Sequence, residues 1–89
     1  MHDTRSLPEV EEKIRTVLSE YGRLTVDARS VRDQDDLFSL GMTSFANVNV
    51  MLGLEQAFGI QFPGTMLKKT NFRTMSSIRS SVNQLLTTG

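Results

Sequence analysis

The chain has 89 residues and a mass of 10.0 kDa, with ten Lys and Arg against ten Asp and Glu and a formal net charge of zero. Zero charge excludes the basic excess of a nucleic-acid module, and zero cysteine excludes disulfides, thiolate metal sites and cysteine nucleophiles. No apolar run approaches the roughly 18 residues of a membrane span. A chain this short forms one domain that buries roughly 60–65% of its unfolded surface. The polar start, Met1 to Arg5, has no secretory core segment and points to a cytoplasmic location. The zero is unevenly made. Residues 1–36 hold nine acids and six bases, residues 37–67 hold only Glu55, and residues 68–89 hold four bases and no acid.

The first helix is signalled by Ser6-Leu7-Pro8-Glu9, an N-cap followed by a capping-box Glu. Val10, Ile14, Val17, Leu18 and Tyr21 make its apolar stripe, with Glu9–Lys13 and Glu11–Arg15 as i,i+4 pairs on the outer side. Gly22 reads as its stop. Residues 23–43 show no sustained period and read as a long connection, of a length that is often functional. The second helix starts at Thr43 or Ser44, either of which caps it, and ends at Gly59. Phe62-Pro63-Gly64-Thr65 is a turn, and Met66-Leu67-Lys68-Lys69 reads as a short helix. Thr74 caps the last helix, whose stripe is Met75, Ile78, Val82, Leu85 and Leu86. Strand signals are absent, so the pattern predicts an all-α bundle of three principal helices and one minor one.

The second helix carries two apolar stripes. Val50, Met51, Leu54 and Phe58 form one, and Phe45, Val48 and Leu52 form the other. One stripe suffices to reach a core. Two mean a central position in the bundle, or a face reserved for a partner. Asn47 falls inside the first stripe, where it either bonds to the long loop or faces a cargo or small cavity. Gly53 costs helix stability of up to about 1 kcal/mol and is explained by a close approach of another backbone or a partner.

Catalytic equipment is scarce, and the expectation is a protein that is not an enzyme. His2 is the single histidine. Asp33, Asp35 and Asp36 lack the Gly and terminal Glu of a calcium loop, so no metal is expected. Gly41-Met42-Thr43-Ser44-Phe45 lacks the flanking glycines of a nucleophile elbow. Ser44 taken alone is an ordinary helix cap.

Its neighbourhood says more. Asp36-Leu37-Phe38-Ser39-Leu40-Gly41-Met42-Thr43-Ser44-Phe45, then Val48, Met51-Leu52, Leu54-Glu55, Phe58-Gly59-Ile60 and Phe62-Pro63, resembles the acyl carrier protein family. The Ser-to-Pro spacing matches without a gap, Asn71-Phe72-Arg73-Thr74-Met75 resembles the family's entry to its last helix, and the likeness covers residues 6–86. It implies a small four-helix bundle of acyl-carrier type with a long first loop. The single carrier domain would span residues 6–86, with flexible termini at 1–5 and 87–89.

The resemblance further implies a 4'-phosphopantetheine arm on Ser44, installed from coenzyme A by a phosphopantetheinyl transferase, with an acyl or aminoacyl cargo held as a thioester. Partners would be that transferase, a loading ligase and a downstream acyltransferase or synthase, met by a monomeric carrier. Phe45, Val48, Asn49 and Leu52 are the expected partner face. Asn47, Met51, Phe62 and Met66 are the expected cargo-facing residues. A non-carrying helical adaptor using the same stripe is the competing reading.

The departures are informative. Thr43 stands where the family has Asp, and Phe45 where it has Leu. Ala46, Asn47, Asn49 and Gln56 occupy positions that are commonly acidic. A neutral second helix points away from basic-surfaced fatty-acid enzymes and toward a specialised carrier. Lys68 and Lys69 are either solvated charges or contacts for a partner's acids.

Overall fold

The computed structural model describes the backbone of residues 7–88 and the side chains of residues 9–87. Helix α1, Leu7–Val17, continues through a π-helical turn at Leu18–Gly22. A 3-10 turn follows at Ala28–Ser30, then α2 at Ser44–Phe58, 3-10 turns at Gly64–Met66 and Lys69–Phe72, and α3 at Met75–Thr88. No strand occurs among the described residues. The expected cap at Ser6 and the expected flexible segment 1–5 lie outside them, as does residue 89.

The stripes converge as their spacing predicts. Val10, Ile14, Val17 and Leu18 from α1, Val50 and Leu54 from α2, and Met75, Ile78 and Val82 from α3 are all buried. Phe62 and Phe72 close the end of the core, with ring centroids 5.1 Å apart at 86°, an edge-to-face contact. Thr74 caps α3, its Oγ1 accepting from Ser77 N–H at 3.0 Å. Gly59 ends α2 in the left-handed region at φ 65°, where Gly59 and Ile60 both donate to the Glu55 carbonyl.

Two local expectations are corrected. Gly22 is the last helical residue of the first helix, not the left-handed residue that stops it. The wider π turn shifts the phase, and the left-handed stop falls on Arg23 at φ 54°. The same segment sets the Tyr21 ring and Val17 against Gly53, where an added Cβ would lie 2.9 Å from Tyr21 Cδ2. Close approach of a neighbouring helix within the domain therefore explains Gly53. The minor helix at residues 66–69 is instead two 3-10 turns. The Met66 carbonyl accepts from Lys68 N–H at 2.9 Å and from Asn71 Nδ2 at 2.8 Å, which takes it out of any α-helical ladder.

The long first connection is pinned to the core. Val31, Leu37 and Met42 are buried within it. Arg15 donates through Nη1 to the carbonyls of Ala28 at 2.6 Å and Val31 at 3.0 Å, while its Nη2 holds Glu11 at 2.7 Å. The Glu11–Arg15 pair is thus a clamp on the loop rather than a surface ornament. The Glu9–Lys13 pair does not form. Lys13 lies over the Phe58 ring at 5.4 Å and donates to the Ala57 carbonyl.

The regional charge excesses meet in space. Arg79 pairs with Asp33 at 3.1 Å and Glu11 at 3.2 Å, and Arg73 pairs with Asp36 at 2.8 Å. Asp35 accepts from Arg32 N–H at 2.9 Å, so all three loop aspartates have protein partners. The hydrogen bond and charge of Arg79 hold Asp33 below the usual carboxylate range, and Arg29 does the same for Glu12. At Asp36 burial pulls the pKa up, but the N–H groups of Phe38 and Ser39 and the Arg73 guanidinium outweigh it, and the net shift is downward.

Carboxyls lowered by folding contribute stability in full above their unfolded pKa. That contribution is lost as pH falls through the folded value. Thermal unfolding should therefore be steady from about pH 7 to about pH 5 and fall below about pH 4. Arg79→Met should lower the plateau and flatten the acid limb, as read by melting temperature across the pH range.

Candidate functional site

A chain of local contacts sets the entry into α2. Asp36 Oδ1 accepts from the N–H groups of Phe38 at 3.0 Å and Ser39 at 3.4 Å, which turns the chain. Gly41 then sits at φ 112°, and a Cβ there would lie 3.1 Å from Thr25 Cγ2 and 3.3 Å from the Arg23 carbonyl oxygen. Only glycine combines that backbone with that approach. Thr25 fastens the loop by donating to the Leu40 carbonyl through N–H at 2.8 Å and through Oγ1 at 2.9 Å. Met42 is buried, and the chain enters α2.

The cap of α2 is Thr43. Its Oγ1 accepts from Ala46 N–H at 3.0 Å, and its carbonyl accepts from Asn47 N–H at 2.8 Å. Ser44 is the first helical residue, exposed, and its hydroxyl takes no part in capping. The N–H groups of Ser44 and Phe45 have no hydrogen-bond acceptor among the described residues. They and the helix dipole favour negative charge at this end. The one acid of the middle third is committed elsewhere: Glu55 Oε2 accepts from Phe62 N–H at 2.9 Å.

Three of the four expected partner-face residues are apolar and exposed. Phe45 is 72% exposed, Val48 51% and Leu52 54%. Asn49, the fourth, is half-buried.

The expected cargo-facing residues are dispersed. Phe62 is buried edge-on against Phe72, while Met51 and Met66 are half-buried against the core. Asn47 is 5% exposed, and its Oδ1 has no hydrogen-bond partner among the described residues. It makes no side-chain bond to the first loop, and an orphaned buried acceptor of this kind costs about 1–3 kcal/mol.

A cavity of about 410 Å³ opens elsewhere, between α1 and α2, lined by Val17, Tyr21, Gly53 and Ala57 among others and by none of the four expected cargo-facing residues. Among the described residues no His, Cys, Asp and Glu cluster has metal-binding geometry, and no helix is long and apolar enough to cross a membrane.

Sequence reasoning passed over several side chains. Arg15 acts on carbonyls 13 and 16 residues away, and carbonyls leave no mark in a sequence. Leu67, 49% exposed, read as part of a minor helix. Asn71 read only as part of a chain return, yet its amide builds the turn that presents Leu67.

Residues 12–78 match the family described as "Phosphopantetheine attachment site". The chain is 37% identical over 73 residues to an aminoacyl carrier protein of Agrobacterium fabrum, covering 82% of this chain and 88% of that protein. It also resembles a chain in the crystal structure of an engineered Bradyrhizobium japonicum glycine:[carrier protein] ligase complexed with carrier protein from Agrobacterium tumefaciens and AMP. The TM-score is 0.79 at 36% identity, over 82% of this chain and 97% of that one. A structure of the Bradyrhizobium ligase complexed with glycylated carrier protein gives a TM-score of 0.71 at 26% identity, with the same coverage.

Proposed function

From its membership of the phosphopantetheine-attachment family of carrier proteins, we propose that the chain carries an aminoacyl group on an arm joined to Ser44. The arm supplies the thiol that a chain without cysteine lacks, and the cargo rides there as a thioester.

The observation that carries the assignment of Ser44 is the division of labour at the helix start. Thr43 does the capping that the family's Asp would do, which leaves the Ser44 Oγ exposed and without a bond among the described residues. The Ser44 and Phe45 N–H groups then stand ready for the phosphodiester. Incubation with coenzyme A and a broad-specificity transferase should add one phosphopantetheine mass to the protein, and no gain overturns the proposal.

Aminoacyl cargo is supported by the relatives, one named an aminoacyl carrier protein and others complexed with a glycine ligase. A small amino acid needs no tunnel and stays on the arm outside the bundle. That agrees with Phe62 being tied into the core and with the 410 Å³ cavity lying away from the expected cargo-facing side chains. Asn47, with its Oδ1 buried, is likewise withdrawn from an arm that stays outside the bundle.

The chain supplies no catalyst. It presents cargo to a loading ligase and a downstream transferase or synthase in the cytoplasm, as a monomer. Docking runs through Phe45, Val48 and Leu52, with Asn49 as a polar contact. Val48→Asp puts a charge at the centre of that apolar face and should weaken ligase binding at least about 30-fold. The measurement is calorimetric titration of the arm-bearing protein, with circular dichroism to show an intact fold.

A further inference from the structure

Lys68 and Lys69 are exposed and take no acid as partner among the described residues. This sets them apart from Arg73 and Arg79, which are neutralised within the fold. Beside them Leu67 is half in solvent, at φ −85° and ψ 63°. It is the apex of an inverse γ-turn closed by Lys68 N–H on the Met66 carbonyl at 2.9 Å.

The turn is braced from both sides. Asn71 Nδ2 holds the Met66 carbonyl at 2.8 Å, Asn71 N–H holds the Lys68 carbonyl at 3.0 Å, and Leu67 N–H holds the Gly64 carbonyl at 3.2 Å. The ledge is also attached to the loop that feeds Ser44. Lys69 Nζ lies 5.4 Å and Arg73 Cζ 5.5 Å from the centroid of the Phe38 ring, and Phe38 accepts from Gly41 N–H at 3.2 Å.

We propose that Leu67, Lys68 and Lys69 form a second docking epitope, recognised by carboxylates set around a small apolar socket on the loading ligase. The inference rests on the carrier reading and deepens it. Steering by charge is moved off α2, whose sole acid is tied to Phe62, and onto this ledge with its sign reversed. Apolar contact at Phe45, Val48 and Leu52 is insensitive to salt, so the salt dependence of docking resides in the two lysines. A protein surface suits the ledge better than a nucleic acid, because two cations on a neutral chain give too little charge to hold a polyanion.

The test uses the full chain carrying its arm, with the Bradyrhizobium glycine:[carrier protein] ligase as probe, titrated at about 20 mM and about 200 mM NaCl. Binding of the wild type should weaken about five- to tenfold between the two salts. Lys68→Gln/Lys69→Gln should bind about five- to tenfold more weakly at low salt and lose the salt dependence. Leu67→Ser should weaken binding at both salts alike. Lys13→Gln, on α1, should match the wild type.

Unchanged affinity and salt slope in the double variant overturn the ledge, as does failure of the arm-bearing wild type to bind this ligase. The intact mass of the same samples separates the two levels. A phosphopantetheine mass on Ser44 with no effect of the ledge variants removes only the ledge, whereas no mass gain removes the carrier reading beneath it.

Discussion

Ser44→Ala should fold as well as the wild type and gain no phosphopantetheine mass, while Thr43→Ala should still gain it but melt at a lower temperature. The contrast follows from two adjacent hydroxyls with different tasks. The Thr43 Oγ1 is bound to Ala46 N–H at 3.0 Å, and removing a threonine cap costs about 0.5–2 kcal/mol. The Ser44 hydroxyl is exposed and makes no bond among the described residues, so its loss costs almost nothing in stability. If the roles were reversed, Ser44→Ala would carry the stability loss. Intact mass spectrometry after incubation with coenzyme A and transferase reads the first property, and thermal unfolding reads the second. Thr43→Asp, which restores the family's residue, should keep the cap.

Arg15→Met should cost about 2–4 kcal/mol of stability in urea titration. Methionine keeps the packing of the aliphatic stem and removes the guanidinium. The Ala28 and Val31 carbonyls then lose a charge-assisted donor, and among the described residues Glu11 keeps only its bond to Arg79. Both carbonyls belong to the loop whose far end positions Gly41 and Ser44, so amide exchange should also quicken across residues 23–43. Lys13→Met on the same helix should stay within about 0.5 kcal/mol of the wild type. Equal stability of the two variants would show that the clamp contributes nothing.

Much of the molecule could be read from one-dimensional spacing, because the forces involved act between near neighbours. Apolar residues at helical period placed the three helices, and Thr74 and Gly59 marked their ends by rules spanning a single turn. The ungapped distance from Ser44 to Pro63 carried the family resemblance, and the double stripe of α2 singled out Phe45, Val48 and Leu52, as a second core face or a partner face, before the fold left them exposed. Tertiary structure alone decided what depends on distant partners. Thr43 and Ser44 were equivalent candidates for the cap until backbone geometry gave the bond to Thr43. Arg15 found its acceptors on backbone carbonyls, which are the same for every residue type. Asp33 and Glu11 met Arg79 across 46 and 68 residues, which converted two opposed regional charges into internal clamps. Among the described residues, that pairing left Lys68 and Lys69 as the unneutralised remainder of the basic end. Net charge zero is thus a property of the chain, while the location of its free charge is a property of the fold.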